Sequence, residues 1–281
     1  MITRRTFIKG TAIAAAGVVA GETSSARAGE LTGRIKKAVK YNMIRGDLSV
    51  HEKMALVKKL GFKGVEPGVG DKVDQAELKE AAGAAGITIH GVVNGSVEDI
   101  LRAVDQARFY GASSVLLVAG RVNEGMSYAK NYRETQAVIR AAIPYASEKD
   151  VMLLVENVWN NFLLSPLEMA RYIDEFESEN VGVYFDIGNV VRMGWPEHWI
   201  QTLGSRIKKL DVKEYSRDKQ NDEGLWKGFD VKIGEGSVDW AAVRAELKGI
   251  DYKGWATAEV SGGEEERLAD ISKRMDRVLA L

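Results

Sequence analysis

The chain of 281 residues has no cysteine, which excludes disulfide bonds and thiolate metal sites and leaves the redox compartment open. It has no excess of one charge either: 39 basic against 40 acidic residues leave a net charge of −1, which argues against a nucleic-acid surface, where a basic surplus is needed. Apart from a weakly apolar segment at residues 11–21, too short for a bilayer, no stretch is apolar enough to span one. Also missing are a Gly-rich phosphate turn after the first strand-like run, a Walker loop, a G-x-S-x-G elbow and an H-E-x-x-H pair.

The N-terminus carries a processing signal. Thr3-Arg4-Arg5-Thr6-Phe7-Ile8-Lys9 is a paired-arginine region, followed by the weakly apolar segment and by Ala26-Arg27-Ala28 before Gly29. Residues 1–28 read as a twin-arginine export signal and 29–281 as the folded domain. A mature protein exported already folded, in the periplasm and without a membrane span, is expected.

From about Ile35 the sequence alternates short β-like runs with amphipathic, helix-like stretches. Eight strands are expected, at 38–44, 63–67, 87–92, 113–120, 151–157, 181–188, 207–215 and 255–260. The helical stretches fall between them, with a last one at 264–281. Eight β-α units in about 250 residues fit an α/β fold with a single (β/α)8 TIM barrel, with an open doubly wound sheet as the other arrangement. Ser49, Ser165 and Ser237 stand where helix N-caps are wanted, and Gly61, Gly86 and Gly111 where a positive φ ends a helix. The polar loop 218–232, which holds Trp226, is either a lid over the mouth or a disordered insertion.

Four of the strand-like runs end in an acid: Glu156 in VMLLVEN, Asp186 in VGVYFDIG, Asp211 in IKKLDVKEY and Glu259 in WATAEV. Side chains alternate faces along a strand. Glu156 therefore shares a face with Met152 and Leu154, Asp186 with Tyr184, Asp211 with Lys209 and Lys213, and Glu259 with Trp255 and Thr257. The opposite faces, such as Val151-Leu153-Val155 and Val183-Phe185, are small or apolar and suited to packing on helices. Acids are costly to bury unpaired, so four of them at strand ends call for a shared partner, of which one divalent cation is the simplest.

The ordered blocks VENVWNN, FDIGN, DVKEYSR, GEGSVDW and TAEVSGG resemble the sugar isomerase and epimerase superfamily with the xylose isomerase-like TIM barrel, over roughly residues 35–281. The resemblance implies a divalent metal held by Glu156, Asp186, Asp211 and Glu259, with Glu156 and Glu259 also serving as acid and base beside a carbonyl. Similar proteins carry His at the third of these positions, and Asp211 adds a negative charge there that Lys213 offsets in part. An all-oxygen site favours Mn²⁺ or Mg²⁺ over Zn²⁺. Glu66, His90, Trp159, Asn189, Lys213 and Arg217 are candidate substrate contacts, and Lys232 is within reach of the mouth.

The expected activity is isomerisation or epimerisation of an unphosphorylated sugar or sugar derivative through an enediolate. Elimination beside a keto group and a non-catalytic sugar-binding barrel are the alternatives. The expected partner is a small sugar and not nucleic acid, and association of identical chains is left open.

Overall fold

Nine parallel strand segments form one sheet: β1 (Ile35–Lys40), β2 (Gly64–Glu66), β3 (Thr88–Ile89), β4 (Val92–Asn94), β5 (Ser114–Leu117), β6 (Met152–Glu156), β7 (Val181–Asp186), β8 (Ile207–Val212) and β9 (Gly254–Ala258). The structure is a computed structural model, and it describes residues 31–281; the export signal read over residues 1–28 lies outside the described residues. The sheet begins with β3 and ends with β4, which are two halves of one strand separated only by His90 and Gly91. β3 pairs with β2 and β4 with β5, so the eight expected strands make a closed ring. The His90 peptide spans the break, its N–H donating to Val65 O and its carbonyl accepting from Ser113 N.

The break has a steric cause. A Cβ at Gly91 would strike the Glu66 carboxylate and lie 3.0 Å from Lys209 Nζ, so the chain passes this point only as glycine. Overpacking of this kind costs about 1–3 kcal/mol. Gly91→Ala is therefore expected to lower the unfolding free energy measured in urea by that much, and an unchanged value would show that the barrel interior yields there.

The helices α1 (Val50–Lys59), α2 (Gln75–Ala85), α3 (Ile100–Tyr110), α4 (Tyr128–Glu148), α5 (Pro166–Asp174), α6 (Pro196–Leu203), α7 (Arg217–Glu223), α8 (Trp240–Gly249) and α9 (Glu265–Leu279) surround the ring. Among the described residues no helix is long and apolar enough to cross a membrane. The expected caps appear where local chemistry decides them. Ser49 forms a capping box with Glu52, Ser165 caps α5 ahead of Pro166, and Gly61, Gly86 and Gly111 have φ of +84°, +64° and +73°.

Two local readings change. Asp239, not Ser237, caps α8, accepting from the amides of Ala241 and Ala242, because the Ser237 hydroxyl accepts the Arg217 amide instead. The loop 218–232 is no disordered insertion: it lies mostly in α7 and a 3-10 turn at Leu225–Phe229.

Alternation along the strands sorts side chains as expected. Val151, Leu153, Val155, Val183, Phe185, Leu210, Val212, Ala256 and Ala258 lie in the main core between sheet and helices. On the inward faces, Leu116, Leu154 and Tyr184, with Met152 and Val93 against them, make a small separate cluster inside the barrel. The remaining interior, toward β1, β2, β8 and β9, is filled by buried polar and charged side chains, including Lys40, Glu66, His90, Lys209, Asp211 and Thr257.

Candidate active site

Strand register brings the acids together. Asp186 on β7 stands opposite Asp211 on β8, and Asp211 opposite Thr257 on β9, two residues before Glu259. With Glu156 at the end of β6, all four acids offer a carboxylate oxygen within 4.8 Å of every other. Asp186 and Asp211 are fully buried and Glu156 nearly so, whereas the Glu259 side chain keeps 32% of its surface exposed. A cavity of about 1140 Å³ opens above them, with Glu156 and Glu259 on its wall.

Two ammonium groups are built into the cluster. Lys213 Nζ lies 2.9 Å from Asp186 Oδ2 and 2.8 Å from Glu259 Oε2. Lys40, at the end of β1, donates to Asp211 Oδ2 at 3.0 Å and to Glu66 Oε2 at 2.8 Å. Asp211 thus pairs with Lys40, not with its strand neighbour Lys213. Burial lowers the pKa of either lysine, but the carboxylates around them (Asp211 and Glu66 for Lys40, Asp186 and Glu259 for Lys213) more than reverse this, so both stay charged.

The acids respond to the same field. Burial, with Glu259 and Asp211 as negative neighbours, pushes Glu156 well above the usual carboxylate range. Burial likewise raises Asp211 well above it and Asp186 to about 6, against the pull of Lys40 and Lys213 respectively. Burial also acts on Glu259, but there Lys213 and Lys40 win and hold its carboxyl low.

This donor set fits a hard divalent ion. When all are ionised, the five interior carboxylates (Glu66, Glu156, Asp186, Asp211 and Glu259) exceed the three ammonium groups (Lys40, Lys209 and Lys213) by two negative charges, which one dication would cancel. Asp211 Oδ1 is buried and has no hydrogen-bond partner, as a ligand oxygen awaiting an ion would be. All four donors are oxygens, the preference of Mg²⁺ and Mn²⁺.

A pH dependence follows. Asp186 has its pKa raised from 3.8 to about 6 on folding, so the folded state holds this proton more tightly and the Asp186 contribution to stability falls as pH rises through that window. A dication binds the ionised form and offsets the loss. The rise in Tm produced by Mn²⁺ is therefore expected to be larger at pH 7.5 than at pH 5. Equal shifts at the two values would mean that these carboxylates do not hold the ion.

The other candidates divide. Glu66, Trp159, Asn189, Lys213 and Lys232 line the cavity. Asn189 donates its amide to Asp186 Oδ1 at 2.7 Å, places its side-chain nitrogen 3.5 Å from Glu156 Oε1, and accepts from Lys213. Trp159 is fixed by its indole N–H on Asn189 O at 2.7 Å.

His90 and Arg217 do not line the cavity. His90 is buried in the barrel interior, stacked on Trp255 at 4.5 Å and held between Lys209 and Thr257; burial together with Lys209 and Lys40 keeps it neutral. Its Nδ1 also lies 3.9 Å from Glu66 Oε1, within the same buried polar cluster. Arg217 starts α7 and donates to the carbonyls of Val191 and Gly194, over the ring of Trp195, so it fastens two loops together.

Three contributors had not been singled out from sequence. Lys40 lay in a strand-like run, AVKYNMI, where a buried lysine at a strand end is as anomalous as the acids were. Tyr184 donates to Glu66 Oε2 at 2.9 Å. Asn157 exchanges two hydrogen bonds with the Asp186 backbone and so sets the end of β7 against β6.

Fold and site together place the protein in a class. The chain belongs to the xylose isomerase-like TIM barrel family, which matches residues 54–278. Among solved structures it is similar to D-allulose 3-epimerase from Methylomonas sp., with a TM-score of 0.71 and 18% identity over 88% of this chain and 98% of that one. It is also similar to 3-keto-D-glucoside 4-epimerase, YcjR, from E. coli, with a TM-score of 0.71 and 14% identity over 88% of this chain and 100% of that one. At these identities the likeness is one of fold. In sequence, 97 residues are 29% identical to uncharacterized protein MJ1311 of Methanocaldococcus jannaschii, spanning 34% of this chain and 31% of that protein.

Proposed function

We propose that the protein is a metal-dependent isomerase or epimerase of an unphosphorylated sugar or sugar derivative, working through an enediolate. The observation that carries this reading is the convergence of Glu156, Asp186, Asp211 and Glu259 within 4.8 Å at the floor of one cavity. The similar epimerase structures support the same class of chemistry. When bound, a dication held by these four residues supplies Lewis-acid stabilisation to the negative charge that develops on the sugar oxygens.

The chain's own residues do the rest. Glu156 ends β6 and Glu259 follows β9, and both line the cavity, so one can take the α-proton while the other returns it. Lys213 holds Asp186 and Glu259 at fixed spacing, and Asn189 holds the Asp186 and Glu156 side chains from the loop above. Trp159 stands beside Glu156 on the cavity wall, fixed there by its indole N–H on Asn189 O.

The export signal read at residues 1–28 favours a free sugar over a cytosolic sugar phosphate. Elimination beside a keto group shares the first proton abstraction and is the second reading; the likeness to 3-keto-D-glucoside 4-epimerase supports a keto-glycoside as its substrate. Incubating the Mn²⁺-loaded protein in deuterated water with a panel of free ketoses and keto-glycosides tests both. Deuterium at an α-carbon is the expected result, and the product distinguishes epimer, isomer and eliminated aglycone. No exchange with any member, from protein with a stoichiometric dication, would overturn the proposal.

A further inference from the structure

Above the carboxylates the cavity is too large for one sugar ring and is built from a different kind of residue. Its volume of about 1140 Å³ exceeds the range of about 300–1,000 Å³ that encloses a drug-sized molecule, and a single sugar is smaller than that. The outer wall comes from the α7 and 3-10 segment together with Trp159. Trp226, Phe229 and Trp159 line it, their ring centroids 4.8–6.4 Å apart. Trp226 lines the cavity with 66% of its surface exposed, so its ring is open to a molecule lying in the cavity. Lys219, Asp230 and Lys232 stand around these rings.

We infer that this outer half is a second sugar subsite, so that the substrate is a glycoside of at least two rings, with the reacting ring over Glu156 and Glu259 and the other stacked on Trp226. The inference rests on the isomerase or epimerase reading for the inner ring only. Three features point to a sugar in preference to another ligand. A sugar ring has one apolar C–H face, which aromatic side chains cover, and a rim of hydroxyls, which need charged or polar partners at the ring's edge. The wall supplies both within one segment. The subsite is also continuous with the carboxylate site, so a two-ring molecule reaches both without a change of fold. A flat aromatic group would use the rings but not Lys232, which lines the same wall, whereas Lys219 and Asp230 are already held by each other, by Glu223 and by Lys227.

Isothermal titration of the Mn²⁺-loaded protein with a panel of unoxidised disaccharides, their constituent monosaccharides and p-nitrophenyl glycosides separates the cases without relying on turnover. At least one disaccharide is expected to bind tenfold or more tightly than its monosaccharides. Trp226→Ala is expected to remove most of that gain while leaving monosaccharide affinity within twofold, and Trp226→Phe to retain it. Since Trp226 is mostly exposed, the alanine variant should fold, which circular dichroism checks. The inference is overturned if no disaccharide, including one that fails to bind at all, exceeds its monosaccharides, if Trp226→Ala leaves the gain intact, or if the aryl glycosides bind more tightly than every disaccharide. Loss of proton exchange with retained disaccharide preference would instead reject the proposed reaction and leave the subsite standing.

Discussion

Glu156→Gln and Glu259→Gln are each expected to slow α-proton exchange with deuterated water by about 10²–10⁴-fold, the range general acid–base catalysis supplies, and by more where the ion is also lost. Glutamine keeps the volume and one ligand oxygen but accepts no proton, so the change removes chemistry and not packing. Both side chains stand on the cavity wall beside Asp186 and Asp211, with Asn189 on Glu156 and Lys213 on Glu259, and a neutral amide of the same shape adds no charge to that cluster, so the fold should survive in both. NMR of the sugar reads the exchange and far-UV circular dichroism the fold. Wild-type exchange in either variant would take that residue out of the acid–base role.

The second large effect is on stability. Lys40→Met leaves Glu66 and Asp211, both buried and both now sharing one ammonium at 2.8 and 3.0 Å, without a cation. Removing one partner from a buried ion pair costs about 3–5 kcal/mol. At roughly 2–4 °C per kcal/mol for a domain of this size, Tm should fall by about 6–20 °C. Neutralising the acids as well, in Lys40→Met with Glu66→Gln and Asp211→Asn, should recover most of the loss, because no charge of this pair is then left without its partner. Both variants are compared by urea denaturation of metal-free protein at neutral pH. A cost below about 1 kcal/mol in the single variant would mean that Lys40 is not what compensates these two acids.

Lys40 also marks where reading a sequence stops. The acids announced themselves because each breaks an apolar strand at its end, and the period of two told which face each occupies without reference to any other strand. The capping of Ser49 and Ser165 and the positive φ of Gly61, Gly86 and Gly111 were legible for the same reason, since the groups that satisfy them lie within a few residues. Ser237 was misassigned as a cap because its hydroxyl is used by the Arg217 amide, twenty residues back. His90 ends the third strand and Arg217 follows the seventh, yet Trp255, Lys209 and Thr257 hold the first in the interior and two loop carbonyls capture the second.

The sequence by itself determined the alternation of strands and helices, the face of each strand that carries its acid, and the excess of buried negative charge that a cation must answer. Only the tertiary structure decided which cation meets which acid. Lys40 and Asp211 are 171 residues apart and become neighbours when β1 closes the ring beside β9 in a fixed register. Periodicity acts along a few residues of backbone, whereas the pairing of buried charges is set by barrel closure, and no local pattern encodes that distance.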